Sequence, residues 1–388
     1  MNKRNNTLWA LLLALCILLA IFFMGLFGYL VVSRIIHTPD KQAGQQAQWE
    51  EQTQEQENTL QDDDTDLPPS NEEEQPDSET EKPVHYDPPN YEFDTSKDTI
   101  EVKIEGLSRS YRIAWVSDLH LITDLEPAED VFEEYVETLK ARHDASFVTP
   151  DGMTADELWP EIIKFLNYED FDAVIFGGDI MDYCSRSNLD TFLEGYRELK
   201  YDKDQILYVR ADHDYGAYYG GDVLTEWRAH ELHAMEIDGY ESYDPLDDYN
   251  KILDLGELAI VGINGSTKNM SGDQLEVIAN KLQEDKPVII ATHVPYEPRT
   301  EEDKQSLAEL SMAVRSQIYY WSEESTHYIP VERTLDYFNY LYSDDTPVRQ
   351  VCAGHLHSGW DGMLTDTLGQ HIFTPAYLGA IGIIEVTP

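Results

Sequence analysis

The chain has 388 residues, with 75 Asp and Glu against 27 Lys and Arg, and a formal charge of −48 at pH 7. So acidic a protein lacks the basic track that DNA and RNA backbones need, and no nucleic-acid polymer is expected as a partner. Anionic lipid surfaces would repel it as well, so any membrane contact has to come from a segment of different composition.

Such a segment opens the chain. Residues 1–37 hold Lys3, Arg4 and Arg34 and no acid, a charge of +3. Residues 38–98 hold 19 acids against 3 lysines, a charge of −16, which leaves −35 for residues 99–388. From Leu8 to Val32 run 25 residues without a charge, enough to cross a hydrocarbon core of about 30 Å as a helix. No small-x-small cleavage site follows, and Cys16 succeeds Leu15 rather than a small residue, so neither a cleaved leader nor a lipoprotein site is expected. Lys3, Arg4 and the α-amino group precede the span, while Arg34 and Lys41 follow it, which favours a cytoplasmic N-terminus. The expectation is a single-pass anchor in the cell membrane, residues 1–37, with the bulk of the chain extracytoplasmic. Residues 38–98 are rich in Gln, Glu, Asp, Pro and Ser, with runs such as Asp62–Asp64 and Glu72–Glu74. They lack the apolar density for a core and predict a disordered, extended acidic linker. Cys16, Cys184 and Cys352 do not make a disulfide framework, and the last two read as small buried hydrophobes.

Order is expected from about Ile100, where IEVKIEG alternates as an edge strand does. Tyr111–His120 (YRIAWVSDLH) carries a short apolar run of the kind that fills a doubly covered strand, ending in Ser117, Asp118 and His120. A helical period follows over Ala128–Arg142. Thr154 and Glu157 offer a capping box for a second helix, which would place Pro160 inside it; the alternative start is Trp159–Pro160, and Glu161–Asn167 is helical either way. Phe171–Asp182 is a buried strand ending in Gly177, Gly178 and Asp179. Gln205–Asp214 is another, ending in Asp212, His213 and Asp214. Leu258–Gly262 leads to Asn264, a helix spans Ser271–Leu282, and Val288–Thr292 leads to His293. Arg349–His357 ends in His355 and His357, and His371–Val386 reads as two strands that complete a sheet. Strands alternating with helices, each strand ending in a polar loop, indicate an α/β domain over residues 99–388 with its site at the strand ends.

Asp118, His120, Asp179, Asp212, His213, His293, His355 and His357 are the residues those ends deliver. Each alone has an ordinary explanation as a turn, a cap or a structural imidazole. Five strand ends each carrying Asp or His are harder to attribute to turns, and eight such groups in one cleft would repel or go unsatisfied without cations. Carboxylates mixed with imidazoles suit Mn, Fe or Zn better than Ca or Mg. Two ions, sharing one carboxylate, use the set economically.

The ordered motifs Asp118-Leu-His120, Gly178-Asp179-Ile-Met-Asp182, Ala211-Asp212-His213-Asp214, His293 and Gly354-His355-Leu-His357 resemble those of the calcineurin-like metallophosphoesterases. The resemblance covers about residues 100–388. It implies two mixed sheets packed as a sandwich flanked by helices, and a binuclear metal centre. By position, Asp118, His120, Asp179 and His357 would hold one ion, and Asp179, Asp212, His293 and His355 the other. His213 would be the acid that protonates the leaving group, and Asp182 and Asp214 would orient ligands from behind. One motif departs: Ala211-Asp212 stands where the family has Gly-Asn. Two aromatic insertions, Tyr215, Tyr218 and Tyr219 with Gly220 and Gly221, and Glu297–Asp345, flank the motifs; they read either as walls of a substrate pocket or as ordinary packing, and none of their residues is assigned to binding. The function expected is a membrane-anchored phosphatase or phosphodiesterase; the competing reading, supported by Asp212 and the acidic linker, is a catalytically weak, metal-stabilised binding module with the same fold.

Overall fold

Parity along each strand decides which layer a side chain serves, because successive residues point to opposite faces. The computed structural model describes residues 85–123, 143, 145–183, 186–215, 252–263, 280–284, 286–314 and 332–388. Its strands, in chain order, are β1 (Thr99–Lys103), β2 (Tyr111–Val116), β3 (Ala173–Phe176), β4 (Ile206–Tyr208), β5 (Ile252–Asp254), β6 (Ala259–Ile263), β7 (Val288–Thr292), β8 (Val348–Ala353), β9 (Trp360–Met363), β10 (Gly369–Ile372) and β11 (Gly382–Thr387). The helices are α1 (Ala155–Tyr168), α2 (Arg186–Arg197), α3 (Asp212–Tyr215), α4 (Glu301–Val314) and α5 (Glu332–Leu341). One sheet runs β1-β11-β2-β3-β4 and the other β5-β6-β7-β8-β10-β9. Both are mixed: β2, β3 and β4 are parallel, β11 opposes β2, and β6, β7 and β8 are parallel.

The sheets pack face to face. Ile113 and Trp115 of β2, Ile175 of β3 and Leu207 of β4 share one buried cluster with Ile260, Ile289, Ala291 and Cys352 of the second sheet. Their strand neighbours Ala114, Val116, Val174 and Phe176 pack on the other side, with Leu158 and Ile162 of α1 and Phe192 of α2. Beyond the second sheet, Val261, Ile290 and Val351 cluster with Tyr337, Phe338 and Leu341 of α5. Strands covered on both faces must be apolar throughout, which is why they read as unbroken runs. Each such buried side chain contributes about 1.5–3 kcal/mol.

Helix α1 takes the earlier of its two expected starts. Glu157 Oε2 accepts from the Thr154 backbone N–H at 3.0 Å and lies 3.1 Å from its hydroxyl. Pro160 sits inside, yet the buried stripe Leu158, Trp159, Ile162, Ile163 and Leu166 keeps the helix running; packing outweighs the lost backbone bond. The tail departs from expectation. Its two strands join different sheets, β10 beside β8 and β9, β11 beside β1 and β2. Between them Phe373 stacks on Trp115 at 4.9 Å in the inter-sheet layer, which carries the chain from one sheet to the other. The short edge strands β5 and β9, three and four residues long, show no usable alternation in sequence.

Packing on this unit begins ahead of β1. Asn90 and Tyr91 donate backbone N–H groups to Glu161 of α1, Phe93 lies against Tyr91 and Phe165, and the buried Asp98 accepts from the Thr374 N–H at 3.0 Å. Among the described residues no helix is long and apolar enough to cross a membrane. The expected span Leu8–Val32, most of the linker, the helix expected over Ala128–Arg142 and all but the end of that over Ser271–Leu282 lie outside the described residues.

Candidate metal centre

Parallel strands end on one edge of a sheet, and here those edges carry the polar motifs. Asp118 and His120 follow β2, Asp179 follows β3, and His213 lies on α3 just after β4. His293 follows β7, and His355 and His357 follow β8. Among the described residues, Asp118, His120, Asp179, His355 and His357 are the only non-glycine residues with positive φ, between 52° and 73°. Each such residue costs about 1–3 kcal/mol, a strain that accumulates where side chains must be aimed. Two glycines complete the turns. At Gly178 (φ 94°) a Cβ would meet His293 Nδ1 at 2.6 Å and Ala211 Cβ at 2.8 Å, and at Gly354 it would collide with Asp118 and Ser117.

The turns bring ligand-type atoms together. Those of Asp118, His120, Asp179 and His357 all lie within 4.8 Å of one another, as do those of Asp179, His293 and His355. His120 Nε2 stands 3.0 Å from His357 Nε2 and 3.9 Å from Asp179 Oδ2. On the other side of Asp179, His293 Nε2 is 3.1 Å from Oδ2 and 3.3 Å from His355 Nδ1. The side chain of Asp212, at the start of α3, lies outside what is described. His213 approaches from the flank, its ring 4.8 Å from that of His120, with Nδ1 2.7 Å from the Asp182 carbonyl.

A second ring of contacts holds these groups. Asp182 Oδ1 lies 2.9 Å from His120 Nδ1 and 3.3 Å from His213 Nδ1. Asp214, fully buried, accepts from the backbone N–H groups of Asp179, Ile180, Met181 and Ala211, clamping the loop that carries Asp179. The Gly177 carbonyl meets His293 Nδ1 at 2.9 Å. Three further residues were not legible in the motifs. His143 Nε2 donates to the His120 carbonyl at 2.7 Å, Phe147 stacks on the His120 ring at 4.1 Å, and Tyr377 lies 5.5 Å from the His357 ring. They come from distant stretches with no diagnostic spacing, so only the folded chain assembles them.

Electrostatics follow from burial and proximity. Burial raises the Asp118 carboxyl, and although His293 pulls it down, the adjacent Asp179 adds to the rise. Burial also opposes ionisation of Asp179 and Asp182, but imidazoles override it: His293 and His213 hold Asp179 well below the usual range, and His120 and His213 do the same for Asp182. Burial and the neighbouring His120 hold His357 down to about 2, so its ring is neutral and keeps a lone pair for a ligand.

A family model for the calcineurin-like phosphoesterases matches residues 111–359, more than half of the chain and all five motifs. The chain belongs to the calcineurin-like phosphoesterase family. It is accordingly a metal-dependent phosphoric ester hydrolase. Among solved structures it is similar to a dimetal phosphatase from Danio rerio, at 12% identity over 70% of this chain and 89% of that one, with a TM-score of 0.43. It is also similar to a purple acid phosphatase from yellow lupin (12% identity, 70% and 45% covered, TM-score 0.40) and to phosphopantetheinyl hydrolase from Mycobacterium tuberculosis (11% identity, 69% and 91% covered, TM-score 0.33). No curated protein matches the chain.

The residues of this calcineurin-like phosphoesterase fit metal ions. Imidazole nitrogens face one another at 3.0 and 3.3 Å on either side of one carboxylate. Asp179 Oδ1 is buried and makes no hydrogen bond among the described residues. Such an oxygen costs about 1–3 kcal/mol unless something positive meets it, and a cation does.

Proposed function

We propose that this calcineurin-like phosphoesterase is a binuclear, membrane-anchored enzyme that hydrolyses phosphoesters outside the cytoplasm. Asp179 carries the binuclear reading, because it belongs both to the cluster with Asp118, His120 and His357 and to the cluster with His293 and His355, and keeps a buried oxygen without a hydrogen bond. Asp118, His120, Asp179 and His357 would hold one ion and Asp179, Asp212, His293 and His355 the other, with Mn, Fe or Zn suited to the mixed donors. When bound, two such ions supply Lewis-acid activation of the phosphoryl group and of the attacking water. The chain's own residues do the rest. His213 is held through Nδ1 by the Asp182 carbonyl, which leaves Nε2 as the nitrogen that passes a proton to the leaving oxygen. The Asp182 carboxylate stands beside the same nitrogen, with Oδ1 3.3 Å from Nδ1. Asp214 holds the Asp179 loop through three of its N–H contacts and ties it to the Ala211 turn through the fourth. The membrane part of the reading is supported by the uncharged stretch Leu8–Val32.

Elemental analysis and turnover of 4-nitrophenyl phosphate and bis(4-nitrophenyl) phosphate with Mn²⁺ test the centre. Asp179→Asn should lose metal and activity together. His213→Ala should keep its metal while turnover falls about 10²–10⁴-fold. Equal metal loss in both variants would overturn this division of roles, and metal binding without turnover of either ester by the native chain would favour a binding module. Protease accessibility of the domain in intact cells tests its placement outside the cytoplasm.

A further inference from the structure

A cleft of about 490 Å³ opens at His357, which is the only residue of the five motifs among its walls. Its floor is built from three separate parts of the chain. Asp98, ahead of β1, is buried, with Oδ1 tied to the Thr374 N–H. His371 on β10 is 5% exposed; its Nδ1 lies 3.2 Å from Asp361 Oδ1, and its buried Nε2 stands 3.5 Å from Asp98 Oδ1 without a hydrogen bond. Nε2 and Oδ1 thus face each other at 3.5 Å, with the Asp361 carboxylate on the far side of the ring.

We propose, on the reading of the adjoining centre as a phosphoester hydrolase, that this cleft takes the leaving group of the substrate and that this group is neutral and polyhydroxylated, such as a sugar or polyol. The volume suits a group of that size. Two carboxylates, Asp98 and Asp361, oppose a polyanion, while the Lys97 ammonium at the rim opposes a cationic headgroup. Trp360 is only 9% exposed and its Nε1–H is already given to Ser306, so it presents little face for stacking a nucleobase. Hydroxyls, which both donate and accept, match carboxylate, hydroxyl and ammonium walls together.

The test uses the full chain, metal-loaded, and two six-carbon monoesters, glucose 6-phosphate and n-hexyl phosphate. Calorimetric binding should favour glucose 6-phosphate by about tenfold, as two or three added hydrogen bonds allow. Asp361→Ala, at a side chain 79% exposed and so safe for folding, and Thr374→Val should each shrink that preference several-fold while leaving the affinity for n-hexyl phosphate unchanged. Equal affinities for the two esters in the native chain, or a preference that both variants retain, would overturn the proposal. The two failures are read separately: no hydrolysis of the nitrophenyl esters would refute the parent reading, whereas hydrolysis of those esters with equal affinities for glucose 6-phosphate and n-hexyl phosphate would refute this proposal alone.

Discussion

In the proposed ligand set Asp212 would decide the charge of the centre. The related motif carries Asn there, and a third ligand carboxylate beside Asp118 and Asp179 would make the site one unit more negative. A more negative centre attracts a dianionic monoester less, because the ions and their ligands dominate the local field. The Asn amide could also donate a hydrogen bond to substrate, which a carboxylate cannot. Asp212→Asn should therefore raise the ratio of monoester to diester kcat/KM with divalent metal. An unchanged ratio at full metal occupancy would show that the carboxylate is merely tolerated. Behind the ligands, Asp182 and Asp214 were readable from the motif spacing, but their division of labour was not. One meets two imidazoles and the other four backbone N–H groups, a difference made by loop geometry.

At the level of elements, the strand-to-loop turns store strain so that the ligands converge. Gly178 is where that geometry leaves no room for a side chain: its φ is 94° and a Cβ would press on His293 and Ala211. Gly178→Ala should destabilise the protein by about 3 kcal/mol and lower metal content as His293 is displaced, measured by thermal melts and elemental analysis. Native-like melting with full metal would mean that the loop relaxes around a methyl group. Helix α1 offers a test of the segment docked on it. Burial would raise the Glu161 carboxyl, but Lys164 and Asn90 override it and hold it to about 2. A folded-state value below the unfolded one means that the ionised form stabilises the fold. That stability is present above the unfolded value of about 4.3 and is lost as pH falls towards 2. Glu161→Gln should thus melt a few degrees below the native chain at pH 7, with the gap narrowing by pH 3; a gap independent of pH would rule out the charge as its origin.

For the whole molecule, the apolar N-terminal stretch and the candidate metal centre belong to different parts of the chain, and the acidic charge is shared between residues 38–98 (−16) and 99–388 (−35). Residues 85–98 read by composition as linker, yet they belong to the unit Pro83–Pro388, where Asn90 and Tyr91 meet Glu161, Phe93 meets Phe165 and Asp98 meets Thr374. A fragment starting at Pro83 should therefore fold with metal present and melt above one starting at Thr99, which loses the Glu161 and Thr374 contacts. Equal melting temperatures would show that the segment adds nothing to stability.

Legibility in the sequence followed local physics. Apolar runs ending in Asp or His announced β2, β3, β4, β7 and β8 and the ligand types they carry, because doubly covered strands must be apolar and a strand end is where the chain can turn a polar group outward. The ordered motifs carried the family, since each holds its spacing within a few residues. What the tertiary structure alone decided is non-local. The last two strands join different sheets, with Phe373 between them stacked on Trp115. His143, Phe147 and Tyr377 close around the ligands from distant segments. Asp98, Asp361 and His371 meet beside His357. None of these has a period or a spacing to betray it; each depends on which buried faces match once the sheets are packed.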